Sequence, residues 1–110
     1  MSHNYPIFSK WMENQGFVRE HKFHHERRWR LDYAHLGLLL CIEVEGGIWS
    51  KGRHTRPVGF LNDIEKYNTA TLAGWSVLRC TPQMIGDGTA YQLVEKAIKV
   101  VLLHGIRLKT

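Results

Sequence analysis

The spacing of apolar positions changes several times along the 110 residues. Over 6–15, Ile7, Trp11 and Met12 recur at helical spacing and Gly16 follows as a stop, which predicts a short helix burying those three side chains. Over 17–23 the period drops to two, with Phe17, Arg19, His21 and Phe23 on one face and Val18, Glu20 and Lys22 on the other. That is a strand, closed by a polar turn over 24–27, and further strands are expected over 29–34 and 38–45. Glycines, cations and Pro57 mark 46–58 as a loop. Helical spacing returns over 59–73, where Phe60, Ile64, Tyr67 and Thr71 share a face, Asn62, Asp63 and Lys66 fall elsewhere, and Gly74 ends the run. A Val/Leu strand over 76–80 is broken by Thr81-Pro82, and Asp87 can cap a last helix to about His104. Tyr91, Val94, Ile98, Val101 and Leu102 form its core stripe, with Gly105 as its stop. The expected order is αβββαβα, an α/β fold in which strand, helix and parallel return strand make a crossover in a mixed sheet.

Three carboxylates interrupt this apolar pattern. Asp32 sits within Trp29-Arg30-Leu31-Asp32-Tyr33-Ala34, and Glu43 and Glu45 sit within Leu40-Cys41-Ile42-Glu43-Val44-Glu45. Strand alternation puts Cys41, Glu43 and Glu45 on one face and Leu38, Leu40, Ile42 and Val44 on the other. An ionised carboxylate in such company is costly unless it is paired or binds a metal. Residues two apart on one face lie about 7 Å apart at the backbone, so both glutamates can converge on one ion, with Asp32 completing the set from the neighbouring strand. Oxygen ligands favour Mg²⁺ or Mn²⁺, and Mg²⁺ typically keeps waters and takes one or two carboxylates plus substrate phosphate. The plain alternative is a set of solvated charges on an exposed sheet face.

Charge says whose phosphate. Fifteen Lys and Arg against ten Asp and Glu leave a formal charge of +5 on a chain sized for one domain. A basic surface around a metal site suits nucleic acid. Lys51, Arg53, His54 and Arg56 in the loop, and Arg28 and Arg30 from a rim with Lys22, His24, His25 and Arg27, are candidate phosphate contacts. His54 is also a candidate to assist a leaving group, and Trp49 is placed to stack on an unpaired base.

A carboxylate in a strand, a short turn, an apolar strand ending Glu-x-Glu and a helix carrying a lysine together resemble the PD-(D/E)XK nuclease superfamily, with its restriction-endonuclease-like core. The runs Arg27-Arg28-Trp29-Arg30-Leu31-Asp32, Ile42-Glu43-Val44-Glu45-Gly46-Gly47, Gly52-Arg53-His54-Thr55-Arg56, Asp63-Ile64-Glu65-Lys66-Tyr67-Asn68 and Gly74-Trp75-Ser76-Val77-Leu78-Arg79 are similar to a group of small phage and prophage nucleases. The resemblance covers 20–81 and rests on the motifs in combination. Leu31 departs from the superfamily's proline and Glu45 from its lysine. The resemblance implies a single nuclease domain over 1–110 that hydrolyses DNA with Mg²⁺ or Mn²⁺ held by Asp32, Glu43 and the carbonyl of Val44. It matches Glu20 to an often acidic position of the site, with Glu13 as the alternative contributor. It leaves Glu45 and Lys66 as rival groups to orient or deprotonate the attacking water. Branched DNA such as a Holliday junction, cut by a homodimer, is the substrate it suggests, single-stranded DNA being the other form of partner, and a strand-nicking enzyme of phage replication or packaging is its rival.

The departure at Glu45 keeps a second class of function open, a basic DNA-binding module that retains the nuclease fold without its chemistry. Zinc is disfavoured, because His21, His24 and His25 lack finger spacing and Cys41 and Cys80 form no Cys-x-x-Cys pair. Both thiols are expected as reduced core residues. No signal-peptide pattern or bilayer-length apolar run is present, so a cytoplasmic location, the host's if the chain is of phage origin, is the expectation.

Overall fold

Four strands join in sequence order: β1 (Val18–Lys22), β2 (Arg30–His35), β3 (Leu40–Val44) and β4 (Ser76–Cys80). In this computed structural model residues 5–46 and 57–104 are described; the side chains of Pro57, Val58, Phe60 and His104 lie outside the description. β1 to β3 run antiparallel, and β4 returns parallel to β3 after the helix α2 (Pro57–Leu72). The mixed sheet and its crossover agree with the reading of the sequence. Helices cover both faces, α2 on one, and α1 (Pro6–Asn14) with α4 (Thr89–His104) on the other. Among the described residues no helix is long and apolar enough to cross a membrane.

One element is added to the expected order. Residues 82–87 form a separate short helix, α3 (Pro82–Asp87), so the order is αβββαβαα. The Thr81 side chain accepts the Met84 amide at 3.2 Å with Pro82 in the first turn, and Gly88 ends the helix at φ 91°. Thr-Pro is thus a helix start as well as a strand stop. Asp87 does act at the head of α4, accepting the amide and hydroxyl of Thr89.

Helix faces also required correction. In α1 the buried side chains are Phe8, Ser9 and Met12, while Ile7 is 79% exposed. Ser9 and Tyr33 hydrogen-bond at 2.6 Å beneath Phe8, which explains why a serine takes the inward position. In α4 Ala90, Val94, Ala97 and Val101 are buried and Leu102 points to solvent. The largest departure is α2. Ile64 and Leu61 are exposed, and the face turned to the sheet carries Lys66, Tyr67 and Ala70.

Two cores result. Phe8, Met12, Phe17, Tyr33, Leu40, Ile42, Val44 and Val94 fill the α1/α4 side, and Leu31, Ala34, Cys41, Ala70, Trp75 and Val77 fill the α2 side. Leu31 and Tyr33 fall in different cores although they are two apart, and β1 slips in step. Arg19 lies over Tyr33 on one side, whereas His21 meets Trp75 on the other. Phe17 and Phe23 are therefore on opposite faces. The slip is centred on Glu20, a non-glycine residue at φ 55°, opposite Asp32 in the β1–β2 register. Because both strands change face together, their register survives. Asp32 sits at the crossing, where a side chain lies along the sheet toward β3.

Candidate active site

The β2–β3 ladder stops at Tyr33↔Ile42, while β2 continues with β1 to Arg30 and β3 continues with β4 to Val44. The sheet forks there, and carboxylates bridge the gap. Asp32 N–H donates to Glu43 Oε2 at 2.6 Å, and Val44 N–H donates to Asp32 Oδ2 at 2.8 Å. These bonds satisfy amides that the parting strands would otherwise leave without carbonyl partners.

Glu43 is almost fully buried. Its other oxygen, Oε1, accepts from Lys66 Nζ at 3.0 Å and lies 3.3 Å from the Tyr67 hydroxyl. The same hydroxyl is 3.2 Å from Glu45 Oε2, which also meets Arg79 Nε at 3.4 Å. The Arg79 guanidinium stacks over the Tyr67 ring at 4.3 Å. Tyr67 carries one proton for two carboxylates, so satisfying both contacts fully requires a proton on one of them. Burial, and next the Asp32 charge, push Glu43 up to about 7, against the opposing pull of Lys66. Burial and the adjoining carboxylates likewise push the Tyr67 hydroxyl up, so it remains a donor.

Of the residues singled out in the sequence, Asp32, Glu43, Glu45 and Lys66 converge. Val44 contributes its amide to Asp32 and its side chain to the α1/α4 core. Glu20 faces Arg30, whose Nη1 is 3.9 Å from its Oε1. Arg28 and Arg30 are exposed at the β1–β2 turn. Lys51, Arg53, His54 and Arg56, like Trp49, lie outside the described residues. Tyr67 and Arg79 are additions. Tyr67 reads as core by its helical position and Arg79 falls within the strand expected over 76–80, but Arg79 is the β4 partner of Glu43 in the parallel register, a pairing of opposite charges that marks it.

The turn between β1 and β2 is tied to the same helix. Arg27 donates to Asn62 Oδ1 and Glu65 Oε2, each at 3.0 Å, and covers the Trp29 ring at 3.9 Å, while His24 Nδ1 accepts the amides of Glu26 and Arg27. Asn62 and Lys66 are one helical turn apart, about 6 Å. A basic turn thus flanks the fork.

Among the described residues no three His, Cys, Asp or Glu side chains stand together as an ion-binding group. Cys41 and Cys80 are free and buried, and burial pushes both thiols up, so both are neutral thiols in the metal-free chain. What remains is the pair Asp32 and Glu43, the number of carboxylates by which Mg²⁺ is commonly held beside waters and phosphate oxygens. No family model, curated protein or solved structure matches the chain.

Proposed function

We propose that this chain is a metal-dependent DNA endonuclease built on a restriction-endonuclease-like core of the PD-(D/E)XK type. The observation that carries the reading is the fork itself: two carboxylates from separate strands meet where the ladder opens, with a lysine ammonium 3.0 Å from one of them. Lys66 comes from α2, outside the Glu-x-Glu run, and stands on the carboxylate just past the end of the β2–β3 ladder. The exposed arginines of the β1–β2 turn and the net charge of +5 support a polyanionic substrate.

Asp32 and Glu43 would hold Mg²⁺ or Mn²⁺, which when bound supplies charge stabilisation to the scissile phosphate and makes a water more acidic. Lys66 is the better candidate to orient the attacking water, because Glu45 is held by Tyr67 and Arg79 and so serves to position them. Burial of Glu43 keeps the dielectric low at this carboxylate, which strengthens its interaction with a cation.

The test is cleavage of matched linear, nicked, single-stranded and four-way-junction DNA with Mg²⁺, Mn²⁺ or chelator, by wild type and Asp32→Asn. Metal-dependent cutting by wild type alone is expected, and the preferred substrate names the task. Binding without cutting on every substrate would replace the nuclease with a DNA-binding module.

A further inference from the structure

Both oxygens of Glu43 are engaged by the chain itself, Oε2 by the Asp32 amide and Oε1 by Lys66 and Tyr67. The two partnerships differ in kind. The Asp32 amide is fixed in a strand, whereas Lys66 ends a flexible four-carbon stem and keeps 14% of its side chain exposed against 2% for Glu43. An ion reaching Glu43 therefore meets a positive charge already in place at Oε1. Among the described residues a second cation beside the acidic set, Arg79, lies on Glu45.

On the metal-nuclease reading above, we propose that Lys66 is the resident counter-ion of the fork: it balances Glu43 in the metal-free protein, competes with a divalent cation for Oε1, and is freed from Oε1 when that cation binds, leaving its ammonium accessible beside the site. Lys66 is then a positioning residue with two stations. On Glu43 it keeps the buried carboxylate paired; displaced, its ammonium is free to meet an anion arriving at the same place. Metal and phosphate binding become linked, since the first frees a cation for the second.

Titration of Mn²⁺ alone, followed calorimetrically, tests the competition. Lys66→Met is expected to bind Mn²⁺ at least about tenfold more tightly than wild type, the scale of one charge removed from a partly buried site. Arg79→Met, which removes an equal charge from Glu45, should change affinity much less. In the wild-type protein, Mg²⁺ should raise acetylation of Lys66 by an N-hydroxysuccinimide ester, read by peptide mass, and should not do so in Asp32→Asn. A folded Lys66→Met with unchanged or weaker Mn²⁺ affinity overturns the proposal. So does Lys66 labelling that Mg²⁺ leaves unmoved in a wild-type protein shown to bind it, a readout that holds even if the variant fails to fold. If wild type takes up no Mn²⁺ in an Asp32-dependent way, the nuclease reading falls first and this inference with it.

Discussion

Asp32 and Glu43 stitch β2 to β3 where the backbone ladder ends: the Asp32 amide donates to Glu43, and the Asp32 carboxylate accepts the amide of Val44, next to Glu43. The residues assigned to chemistry are thus also those that close the sheet, and substitutions must be chosen to separate the two roles.

Asp32→Asn keeps an oxygen acceptor for the Val44 amide, whereas Asp32→Ala removes it. Both variants should lose metal-dependent cutting. Only the alanine should also lose stability, by about 1–3 kcal/mol, the cost of stranding a part-buried donor. Plasmid nicking alongside urea unfolding checks both, and an active Asp32→Asn would remove this residue from the site.

Glu43 ionises in the folded chain at about 7 instead of the ordinary 4.5. The native state therefore holds a proton that the unfolded chain releases between those values. The stabilising contribution is full below about 4.5 and is lost as pH rises through 7. Relative to Glu43→Gln, metal-free wild type should lose up to about 3 kcal/mol across that window. Melting curves of both proteins in chelator from pH 4.5 to 7.5 give the difference; parallel curves would mean that Lys66 holds Glu43 ionised throughout.

Tyr67→Phe removes the one hydroxyl shared by Glu43 and Glu45 and leaves the ring under Arg79. A loss of about 1–2 kcal/mol in urea unfolding is expected, together with slower single-turnover cleavage as Glu45 loses a restraint. Unchanged stability and rate would show the hydroxyl to be incidental.

Adjacent arginines should behave in opposite ways. Arg27 is committed to Trp29, Asn62 and Glu65, so Arg27→Ala should lower stability by about 1–2 kcal/mol. Arg28 is exposed, so Arg28→Ala should leave the melting temperature unchanged and lower the salt slope of DNA binding by about one. Binding isotherms at several salt concentrations decide this, and an unaltered slope removes Arg28 from the interface.

Alternation in β3 was enough to place Glu43 with Cys41 and away from Leu40 and Ile42, because that strand is regular and buried on both faces. The pattern failed where polar partners overrode hydrophobicity. Ser9 displaced Ile7 from the inward face by bonding Tyr33, and Lys66 turned inward to meet Glu43 while Ile64 faces out. The slip at Glu20 and Asp32 was beyond reach of a period-two reading, since it depends on two strands changing face together. Apolar spacing places Tyr67 in the core, where it packs, but carries no information about where its hydroxyl points.

The seating of α2, with Lys66 turned inward and Ile64 outward, bears on how heat-resistant this domain can become. A helix that packs on a sheet through Ala70, an ammonium and a phenol, the last two set on a buried acid of the sheet, with Leu61 and Ile64 turned outward, forgoes hydrophobic stabilisation that its own composition could provide. Joint replacement of Glu43 and Lys66 by well-fitting aliphatic side chains would be expected to raise the melting temperature, as it often does for buried ion pairs, and to leave an inert scaffold. Thermal selection on this chain would therefore erode the fork before anything else.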